Sequence, residues 1–208
     1  MLSPSKIVCV GRNYREHARE LGNEVPSEPL LFLKPPSSLI ASGAPIVLPR
    51  MSEQVEFEGE IGIVLESRLR HAAPGEAERA VAGVVALNDV TARDLQRRDG
   101  QWTRAKGFDT FCPVADTPVP VNDLTDLTII TRVNGTERQR ASSSEMVFRI
   151  PELLAYISSI MTLEAGDLIA TGTPAGVGPL ADGDTVEVEI AGVSRLRNPV
   201  TIEPTTTP

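Results

Sequence analysis

The stretch Val55-Glu-Phe-Glu-Gly-Glu-Ile-Gly-Ile-Val-Leu65 decides how this chain is interpreted. Polar and apolar residues alternate in it, which predicts a β-strand with two different faces. Glu56, Glu58 and Glu60 would share one face, and neighbouring members of this set would lie roughly 6.5–7 Å apart. The other face would carry the apolar side chains, which are Phe57, Ile61, Ile63 and Leu65.

Two explanations fit the three glutamates. Carboxylates this close raise each other's pKa unless a cation lies between them. A site made only of oxygen ligands favours Mg²⁺, Mn²⁺ or Ca²⁺ over zinc. The alternative is a solvated acidic face, which is the usual explanation of an isolated Glu-x-Glu sequence. Periodicity does not distinguish between the glutamates, because all three share a face.

Asp89 ends a second apolar run, Val84-Val-Ala-Leu-Asn-Asp89, which predicts a buried strand. A short helix is expected from about Ala92 to Arg98, because the residues at its start resemble a capping box. Functional groups often lie at such strand ends, although helix capping alone explains many aspartates. Arg93 and Gln96 are three residues apart and would share a helix face near Asp89. An exposed helix flank is the alternative for this pair.

His17 and Glu20 are three residues apart on a predicted helix from Arg15 to Leu21. A carboxylate beside an imidazole favours the charged ring and fixes its orientation, which suits a base that activates water. The pair alone is weak evidence for catalysis. His71 lies in a polar segment and is expected on the surface.

Lys106 stands in an unusually apolar setting, just before Gly107-Phe108. A solvated loop lysine explains it equally well. The stretch Thr171-Gly-Thr-Pro-Ala-Gly-Val-Gly178 is a glycine-rich loop that directly follows a predicted strand. It lacks the Gly-Lys-Ser/Thr sequence of a nucleotide-binding loop. Its amides and hydroxyls could instead hold a small carboxylate.

Composition limits the possible partners. The chain has 208 residues, 41% of them hydrophobic, which is enough for one large domain with a real core. The formal charge is −8 and no Lys/Arg cluster stands out, so we expect neither nucleic acid nor a membrane as partner. No apolar run is long enough to span a bilayer and the stretch Met1–Lys6 does not resemble a signal peptide, so a cytoplasmic protein is expected. Cys9 and Cys112 match no disulfide or zinc pattern and are predicted to be buried free thiols.

Strand patterns outnumber helix patterns, and the two do not alternate regularly, which disfavours a doubly wound parallel sheet. A β-rich α+β fold is expected. The strongest local signal is a hairpin from Leu127–Val133 to Thr136–Gln139 with a type I′ turn at Asn134-Gly135. The clearest helix begins at Pro151. Further strands are predicted at Lys6–Val10, Leu30–Lys34, Pro45–Leu48, Leu168–Thr171, Thr185–Ile190 and Val193–Arg197.

Domain organisation is expected to be simple. Residues 1–50 would form an N-terminal segment with a strand, a lid helix and a proline-rich extended stretch. Residues 51–203 would form a catalytic β-rich domain packed as one unit with that segment. Residues 204–208 would be a frayed tail.

Taken together and in order, these segments resemble the fumarylacetoacetate hydrolase superfamily, in particular its short single-domain acylpyruvase and oxaloacetate decarboxylase-like branch. The similarity runs from about Val8 to Pro199, nearly the whole chain. The matching segments are Val10–Tyr14 with His17 and Glu20, Leu31–Pro35, Glu58–Glu60, Leu87–Asp94, Trp102–Phe108, Thr171–Gly178 and Gly183-Asp184.

The resemblance implies a mixed-sheet roll or barrel-like core with a few short helices, a homodimer, and one Mg²⁺, with Mn²⁺ or Ca²⁺ as alternatives. It selects as metal ligands Glu58, Glu60 and Asp89, and leaves Glu56 outside the set. It assigns catalysis to His17, Glu20 and Lys106. It assigns substrate binding to Arg93, Gln96 and Thr173.

The implied reaction is cleavage of a C–C bond in a small 2-oxo or 2,4-dioxo acid. Electrons of the C3–C4 bond would flow onto the keto oxygen as an enolate, whose charge a metal ion and Lys106 would stabilise. Thr173 would anchor the substrate carboxylate. His17 and Glu20, carried on a lid, would activate water for hydrolysis of an acylpyruvate; decarboxylation of oxaloacetate needs no such water.

Two alternatives stay open at this point. The first is an isomerase/decarboxylase of ring-cleavage diacids from hydroxyphenylacetate-type aromatic catabolism. The second is a non-catalytic 2-oxo acid binding protein. The segment Arg97–Gln101 is shorter than this branch leads us to expect, which leaves the substrate specificity open.

Overall fold

The computed structural model describes residues 2–204, so the part of the predicted tail beyond Pro204 lies outside the described residues. The strands are β1 (Ile7–Gly11), β2 (Leu30–Lys34), β3 (Leu39–Ala41), β4 (Ile46–Leu48), β5 (Val55–Phe57), β6 (Gly59–Leu65), β7 (Val81–Asn88), β8 (Thr91–Ala92), β9 (Cys112–Val114), β10 (Thr128–Val133), β11 (Thr136–Ser142), β12 (Leu168–Ala170), β13 (Gly178–Pro179), β14 (Thr185–Ile190) and β15 (Ser194–Ile202). The α-helices are α1 (Arg15–Glu20), α2 (Pro74–Arg79), α3 (Arg93–Arg98), α4 (Thr103–Lys106) and α5 (Ile150–Ile160).

Three sheets make up the fold. A seven-stranded mixed sheet has the order β2-β1-β12-β6-β7-β9-β3, in which β1 runs parallel to β12 and antiparallel to β2. A five-stranded sheet has the order β11-β10-β14-β15-β4 and contacts β6 and β7 of the first. The third sheet is the short set β13-β5-β8. The predicted α+β class, with a curled mixed sheet and few helices, is confirmed.

The strand pair β6 and β7 lies at the centre of the core, and every residue of β6 is buried. β10 approaches β6 so closely that a Cβ on Gly59 would lie 1.9 Å from Oγ1 of Thr131. Only glycine fits here, because any side chain on residue 59 would collide with the side chain of Thr131. Both faces of this central strand are therefore covered, and polar residues on it lie inside the protein.

One strand was predicted from Val55 to Leu65, and the structure divides it at Glu58. β5 ends at Phe57 and pairs with β8 and β13, whereas β6 begins at Gly59 and pairs with β7 and β12. The amide of Glu58 donates to the side-chain Oδ1 of Asn88 at 2.9 Å. The chain changes sheet at this residue because a side chain satisfies its amide there.

Short elements near the site were not predicted from the sequence. These are β3, β9 and α4, each of three or four residues. The capping box predicted before α3 is also wrong, since Ala92 caps that helix without a side-chain bond. Asp94 instead accepts a hydrogen bond from Ser52 Oγ at 2.5 Å.

The hairpin prediction is confirmed by β10 and β11. Asn134 and Gly135 have φ values of +52° and +79°, and a type I′ turn requires positive φ at both central residues. The pairing continues to Ser142, with a register shift between Thr131 and Arg132.

The predictions for the two cysteines and for the helix near Pro151 are confirmed. Cys9 and Cys112 are buried free thiols, as expected. The predicted helix at Pro151 is α5, which buries Leu153, Leu154 and Ile157. Of the helices formed between residues 2 and 204, none has both the length and the apolar character needed to cross a bilayer.

Candidate active site

Three carboxylates converge at the centre of the fold. Glu58, Glu60 and Asp89 each offer an oxygen, and these atoms all lie within 4.8 Å of one another. The antiparallel pairing of β6 with β7 places Gly59 opposite Asn88, so the residues that flank this pair meet. The amide of Asp89 donates to the carbonyl of Glu58 at 2.8 Å and locks the junction. The pairing register of β6 and β7 therefore brings the three carboxylates together.

Glu56 lies outside this cluster. It accepts from Arg93 Nε at 2.8 Å and from Gln54 Nε2 at 2.6 Å. Glu56 is nevertheless buried, as are Glu58 and Glu60, with exposed fractions of 6%, 4% and 2%. The alternative of a solvated acidic face is therefore wrong for all three glutamates.

Buried cations surround the cluster. Lys106 Nζ donates to Glu58 Oε2 at 2.8 Å and to Asp89 Oδ2 at 2.6 Å. Arg93 Nη2 donates to the other oxygen of Glu58 at 2.5 Å, while its Nη1 donates to Gln96 at 2.6 Å. The position of Lys106 in an apolar sequence is explained by this buried ion pair, so the alternative of a solvated loop lysine is wrong.

Lys34 is a further cation of the site, and its role was not predicted from the sequence. Its Nζ donates to Asp89 Oδ1 at 2.6 Å and to the carbonyl of Val90 at 3.1 Å, fully buried. The sequence did contain a signal, because Lys34 ends the apolar run Leu30-Leu-Phe-Leu33 and precedes two prolines. A lysine buried in such a strand is expected to have an oppositely charged partner.

These contacts separate the pKa values of the carboxylates. Burial alone would raise the pKa of Glu58, but the charges of Lys106 and Arg93 outweigh burial and hold it far below its usual range. Burial, reinforced by the charges of Asp89 and Glu58, raises the pKa of Glu60 well above its usual range. Burial lowers the pKa of Lys106, yet Asp89 and Glu58 reverse this and leave it raised. The charged form of Lys106 is therefore favoured by its carboxylate neighbours.

Glu60 is the carboxylate that lacks a cationic partner. The amide of Gly172 donates to its Oε2 at 2.8 Å, and no side chain among residues 2–204 donates to its other oxygen. Oxygens that share an ion are at most about 4.2 Å apart around Mg²⁺ and about 4.6–5.2 Å around Ca²⁺. The cluster could therefore hold a divalent cation directly or with a small side-chain adjustment, and such an ion would supply the charge that Glu60 lacks.

His17 and Glu20 come together on α1 as their spacing predicts. Nδ1 of His17 lies 3.2 Å from Oε2 of Glu20, and the histidine is buried. The second carboxylate oxygen of Glu20 accepts from the amide of Gly176 at 3.0 Å. Glu20 thereby connects α1 to the glycine-rich loop that follows β12.

Thr173 lies in this loop and is held tightly. Its hydroxyl donates to the carbonyl of Gly59 at 2.9 Å and accepts from Gln139 Nε2 at 2.8 Å. A hydroxyl has only one proton to donate, and Thr173 already donates its proton to the carbonyl of Gly59.

A cavity of about 30 Å³ joins these groups, which is room for one or two water molecules. Eight of the nine side chains predicted from the sequence line it; Glu20 reaches it only through His17. The predicted residues in its wall are His17, Glu58, Glu60, Asp89, Arg93, Gln96, Lys106 and Thr173. Arg12, which was not predicted, also lines it, and its signal was its place in Gly11-Arg-Asn13 directly after a strand. The other wall residues are Val10, Gly11, Leu21, Phe32 and Trp102.

Known proteins resemble this chain in fold and over the segments that carry the site residues. The family model described as fumarylacetoacetate (FAA) hydrolase C-terminal matches residues 6–201. The chain is 44% identical over 196 residues to a mitochondrial oxaloacetate decarboxylase of Dictyostelium discoideum, covering 90% of this chain and 89% of that protein. It is 42% identical over 199 residues to the mitochondrial oxaloacetate tautomerase FAHD1 of Arabidopsis thaliana, covering 93% and 89%.

A solved structure agrees in fold. The crystal structure of 2-hydroxyhepta-2,4-diene-1,7-dioate isomerase from Mycobacterium marinum superposes with a TM-score of 0.91 at 44% identity, covering 98% of this chain and 77% of that one. The family match spans the strands that carry the acidic cluster, the helix that carries His17 and the loop that carries Thr173. The chain belongs to the fumarylacetoacetate hydrolase family.

Proposed function

We propose that this protein is an enzyme that cleaves a C–C bond in small 2-oxo or 2,4-dioxo acids with a divalent cation, as an acylpyruvate hydrolase, an oxaloacetate decarboxylase, or both. One observation carries the proposal. The buried carboxylates of Glu58, Glu60 and Asp89 converge in a cavity that Lys106 and His17 also line. The oxaloacetate decarboxylase of D. discoideum, 44% identical, supports the substrate class.

The three carboxylates would hold Mg²⁺, or Mn²⁺ or Ca²⁺ in its place. When bound, the cation would supply Lewis-acid assistance to the 2-oxo group of the substrate. Arg93 and Lys106 keep Glu58 ionised, and Lys34 and Lys106 fix both oxygens of Asp89. These cations thus pre-orient two of the ligands, which limits the reorganisation needed on binding.

Lys106 is the protein side chain that would stabilise the negative charge that develops on the substrate. Its ammonium is buried, ion-paired on one side and 4.9 Å from the ring centroid of Phe32 on another. When the C3–C4 bond breaks, its electron pair delocalises onto the 2-oxo oxygen. A fixed cation in a cavity with little water stabilises that charge without reorganising.

His17 and Glu20 would serve the hydrolytic reaction. Glu20 contacts Nδ1 of His17, so Nε2 is the ring nitrogen left to take a proton from water. The activated water would add to the C4 carbonyl of an acylpyruvate. Decarboxylation needs no such water, so loss of His17 or Glu20 should impair hydrolysis and leave decarboxylation intact.

Steady-state assays with acetylpyruvate and oxaloacetate test this function. We expect turnover that a chelator abolishes and Mg²⁺ restores. His17→Asn should reduce hydrolysis by about 10²–10⁴-fold, the usual contribution of a general base, and spare decarboxylation. His71→Asn is the matched control, because His71 is exposed and its ring, within residues 2–204, has only the adjacent Arg70 as a hydrogen-bonding partner. Full activity in the chelated enzyme contradicts the proposal.

A second candidate is the isomerase/decarboxylase of ring-cleavage diacids. The 44% identity to the M. marinum protein named as a dienedioate isomerase supports it. Assaying both substrate panels on one preparation distinguishes the two candidates. If oxalate binds and no member of either panel is turned over, the protein is instead a 2-oxo acid binding protein.

We further propose that the protein is a homodimer. Light scattering during size-exclusion chromatography should then give twice the chain mass of 22.3 kDa. A monomer mass at micromolar concentration contradicts this. The expected cytoplasmic location stays a prediction.

A further inference from the structure

Arg12 is a cation of the active-site cavity that the proposed reaction does not use. It follows β1 directly and is half-buried in the cavity wall. The three other cations at the site are committed to carboxylates, as described above for Lys34, Arg93 and Lys106. Within residues 2–204, no hydrogen bond or ion pair engages the guanidinium of Arg12. A charge placed there without a protein partner is suited to an anionic ligand.

The backbone of Arg12 is held in a costly conformation. Its φ is +58°, in the left-handed region that non-glycine residues rarely adopt. Asn13 fixes the turn: its side chain donates to the carbonyl of Thr171 at 2.8 Å and accepts from the amide of Phe148 at 2.9 Å. Strain of this kind persists where the surrounding structure enforces it, and it concentrates at ligand sites.

Two aromatic rings form a chain of contacts from Lys106 to Gly11, the residue before Arg12. Phe32 lies 4.9 Å from Lys106 Nζ, and Trp102 lies 5.3 Å from Phe32 in an edge-to-face arrangement. Trp102 in turn packs against Gly11, where an added Cβ would meet its ring at 3.0 Å. Arg12 is the next residue. The wall therefore runs from Lys106 along two aromatic rings to Gly11, and Arg12 lines the same cavity.

We infer that Arg12 binds a second carboxylate of the substrate, so the preferred substrates are dicarboxylic 2-oxo acids rather than monocarboxylic ones. This inference rests on the proposed function, because it takes the acidic cluster as the site of the 2-oxo acid group. A guanidinium matches a carboxylate with two parallel hydrogen bonds, and Arg12 lines the same cavity as the acidic cluster, so one substrate could contact both. Arg12 is thus a specificity-determining residue.

The kinetic test compares oxaloacetate, which has a second carboxylate, with acetylpyruvate, which has none. Arg12→Met removes the charge and keeps much of the length. A lost charge-assisted hydrogen bond of about 1.5–3 kcal/mol corresponds to about 10–150-fold. Decarboxylation converts that second carboxylate to CO2, so its contact with Arg12 belongs to the bound substrate and not to the transition state. We therefore expect the KM for oxaloacetate to rise at least tenfold in Arg12→Met, while the KM for acetylpyruvate stays within about twofold. Arg12→Lys should restore part of the affinity for oxaloacetate.

A binding test does not depend on turnover. The probes are 2-oxoglutarate and 2-oxovalerate, which share a five-carbon chain and differ in the distal carboxylate. Titration calorimetry with Mg²⁺ should show tighter binding of 2-oxoglutarate by the wild-type protein and loss of that preference in Arg12→Met. Arg12→Asn provides a second variant whose fold is secure, because asparagine tolerates a positive φ.

The binding preference decides the inference. A preference that falls at least tenfold in Arg12→Met or Arg12→Asn supports it. A smaller change, or a wild-type protein without the preference, overturns it even if the enzyme cleaves acetylpyruvate. If the preference is present and Arg12-dependent while no panel member is turned over, the proposed function fails and the role of Arg12 stands.

Discussion

Asp89 is the residue on which the contacts of the site converge. Each of its oxygens holds a different lysine, Lys34 on Oδ1 and Lys106 on Oδ2, both at 2.6 Å. Removal of one partner from a buried ion pair typically costs about 3–5 kcal/mol, because the other charge is left uncompensated. Asp89 therefore has one orientation, and it presents its oxygens to the position that Glu58 and Glu60 also face.

Two neighbouring buried glutamates allow a matched test of the metal site. Glu58→Gln should weaken Mn²⁺ binding by more than about 100-fold, since even a partner of a ligand usually contributes 10–100-fold. Glu56→Gln should weaken it by about tenfold or less, because Glu56 acts only through Arg93. Mn²⁺ titration followed by electron paramagnetic resonance measures both constants. Equal losses in the two variants would show that the cluster does not bind the ion.

Metal binding should depend on pH through Glu60. Its pKa is raised, first by burial and then by the charges of Asp89 and Glu58. Glu60 must lose its proton to bind a cation, so protons compete with the ion and apparent affinity falls as the pH falls through that raised pKa. Calorimetry of Mn²⁺ binding across a pH series should show this slope in the wild-type protein and a flatter one in Glu60→Gln. An identical slope in both would assign the proton to another group.

Individual residues differ in how far the sequence reveals them. Glu58, Glu60 and Asp89 were found because acidic residues interrupt apolar strands, and the family resemblance separated Glu56 from the set. Lys34 and Arg12 were missed, since a lone cation at a strand end has no spacing partner in sequence. Lys34 meets Asp89 across 55 positions of the chain. Pairing at that range is set by the sheet order.

At the scale of elements, α1 and the loop after β12 form one wall of the cavity. The hydrogen bond from Gly176 to Glu20 is the link that joins them. The cavity of about 30 Å³ is too small for a four-carbon acid, so a wall must move for a substrate to enter. α1 is the short helix in that wall, with six residues and two of them buried.

Hydrogen exchange tests the proposal that α1 is a lid. Adding Mg²⁺ and oxalate should slow exchange of the amides in residues 15–21, because a ligand against His17 favours the closed position. The amides of α5, which is not part of the cavity wall, serve as the internal control. Unchanged exchange in residues 15–21 under saturating oxalate would show that entry occurs elsewhere.

Element prediction from this sequence succeeded where a pattern is local. The Asn134-Gly135 hairpin and α5 depend on turn chemistry and helical spacing. The break at Glu58 was missed because it depends on Asn88, a residue 30 positions away that takes the place of a strand partner. β3 and β9 were missed for the same reason, since β3 pairs with β9 and β9 in turn pairs with β7, both far away in sequence.

At the scale of the whole molecule, the site is assembled from segments spread between Arg12 and Thr173. The seven-stranded sheet accounts for the assembly, because its order brings β1, β12, β6 and β7 side by side. Composition and periodicity predict the strands but not that order. The family resemblance therefore carried the prediction of which distant residues meet, and the geometry of the sheet supplies the physical reason.

A divalent cation should stabilise the entire fold, because the cluster occupies the middle of the main sheet. A ligand that binds only the folded state at 100 times its Kd adds about 2.7 kcal/mol. For a chain of this length each kcal/mol raises Tm by about 2–4 °C, so we expect an increase of about 5–10 °C with Mn²⁺ or Mg²⁺. Differential scanning fluorimetry at constant ionic strength, with NaCl as the blank, measures the shift. Glu56→Gln should keep most of the shift and Glu58→Gln should lose it. A shift that survives in Glu58→Gln would place the stabilising ion outside the acidic cluster and would remove the main support for a metal-dependent reaction there.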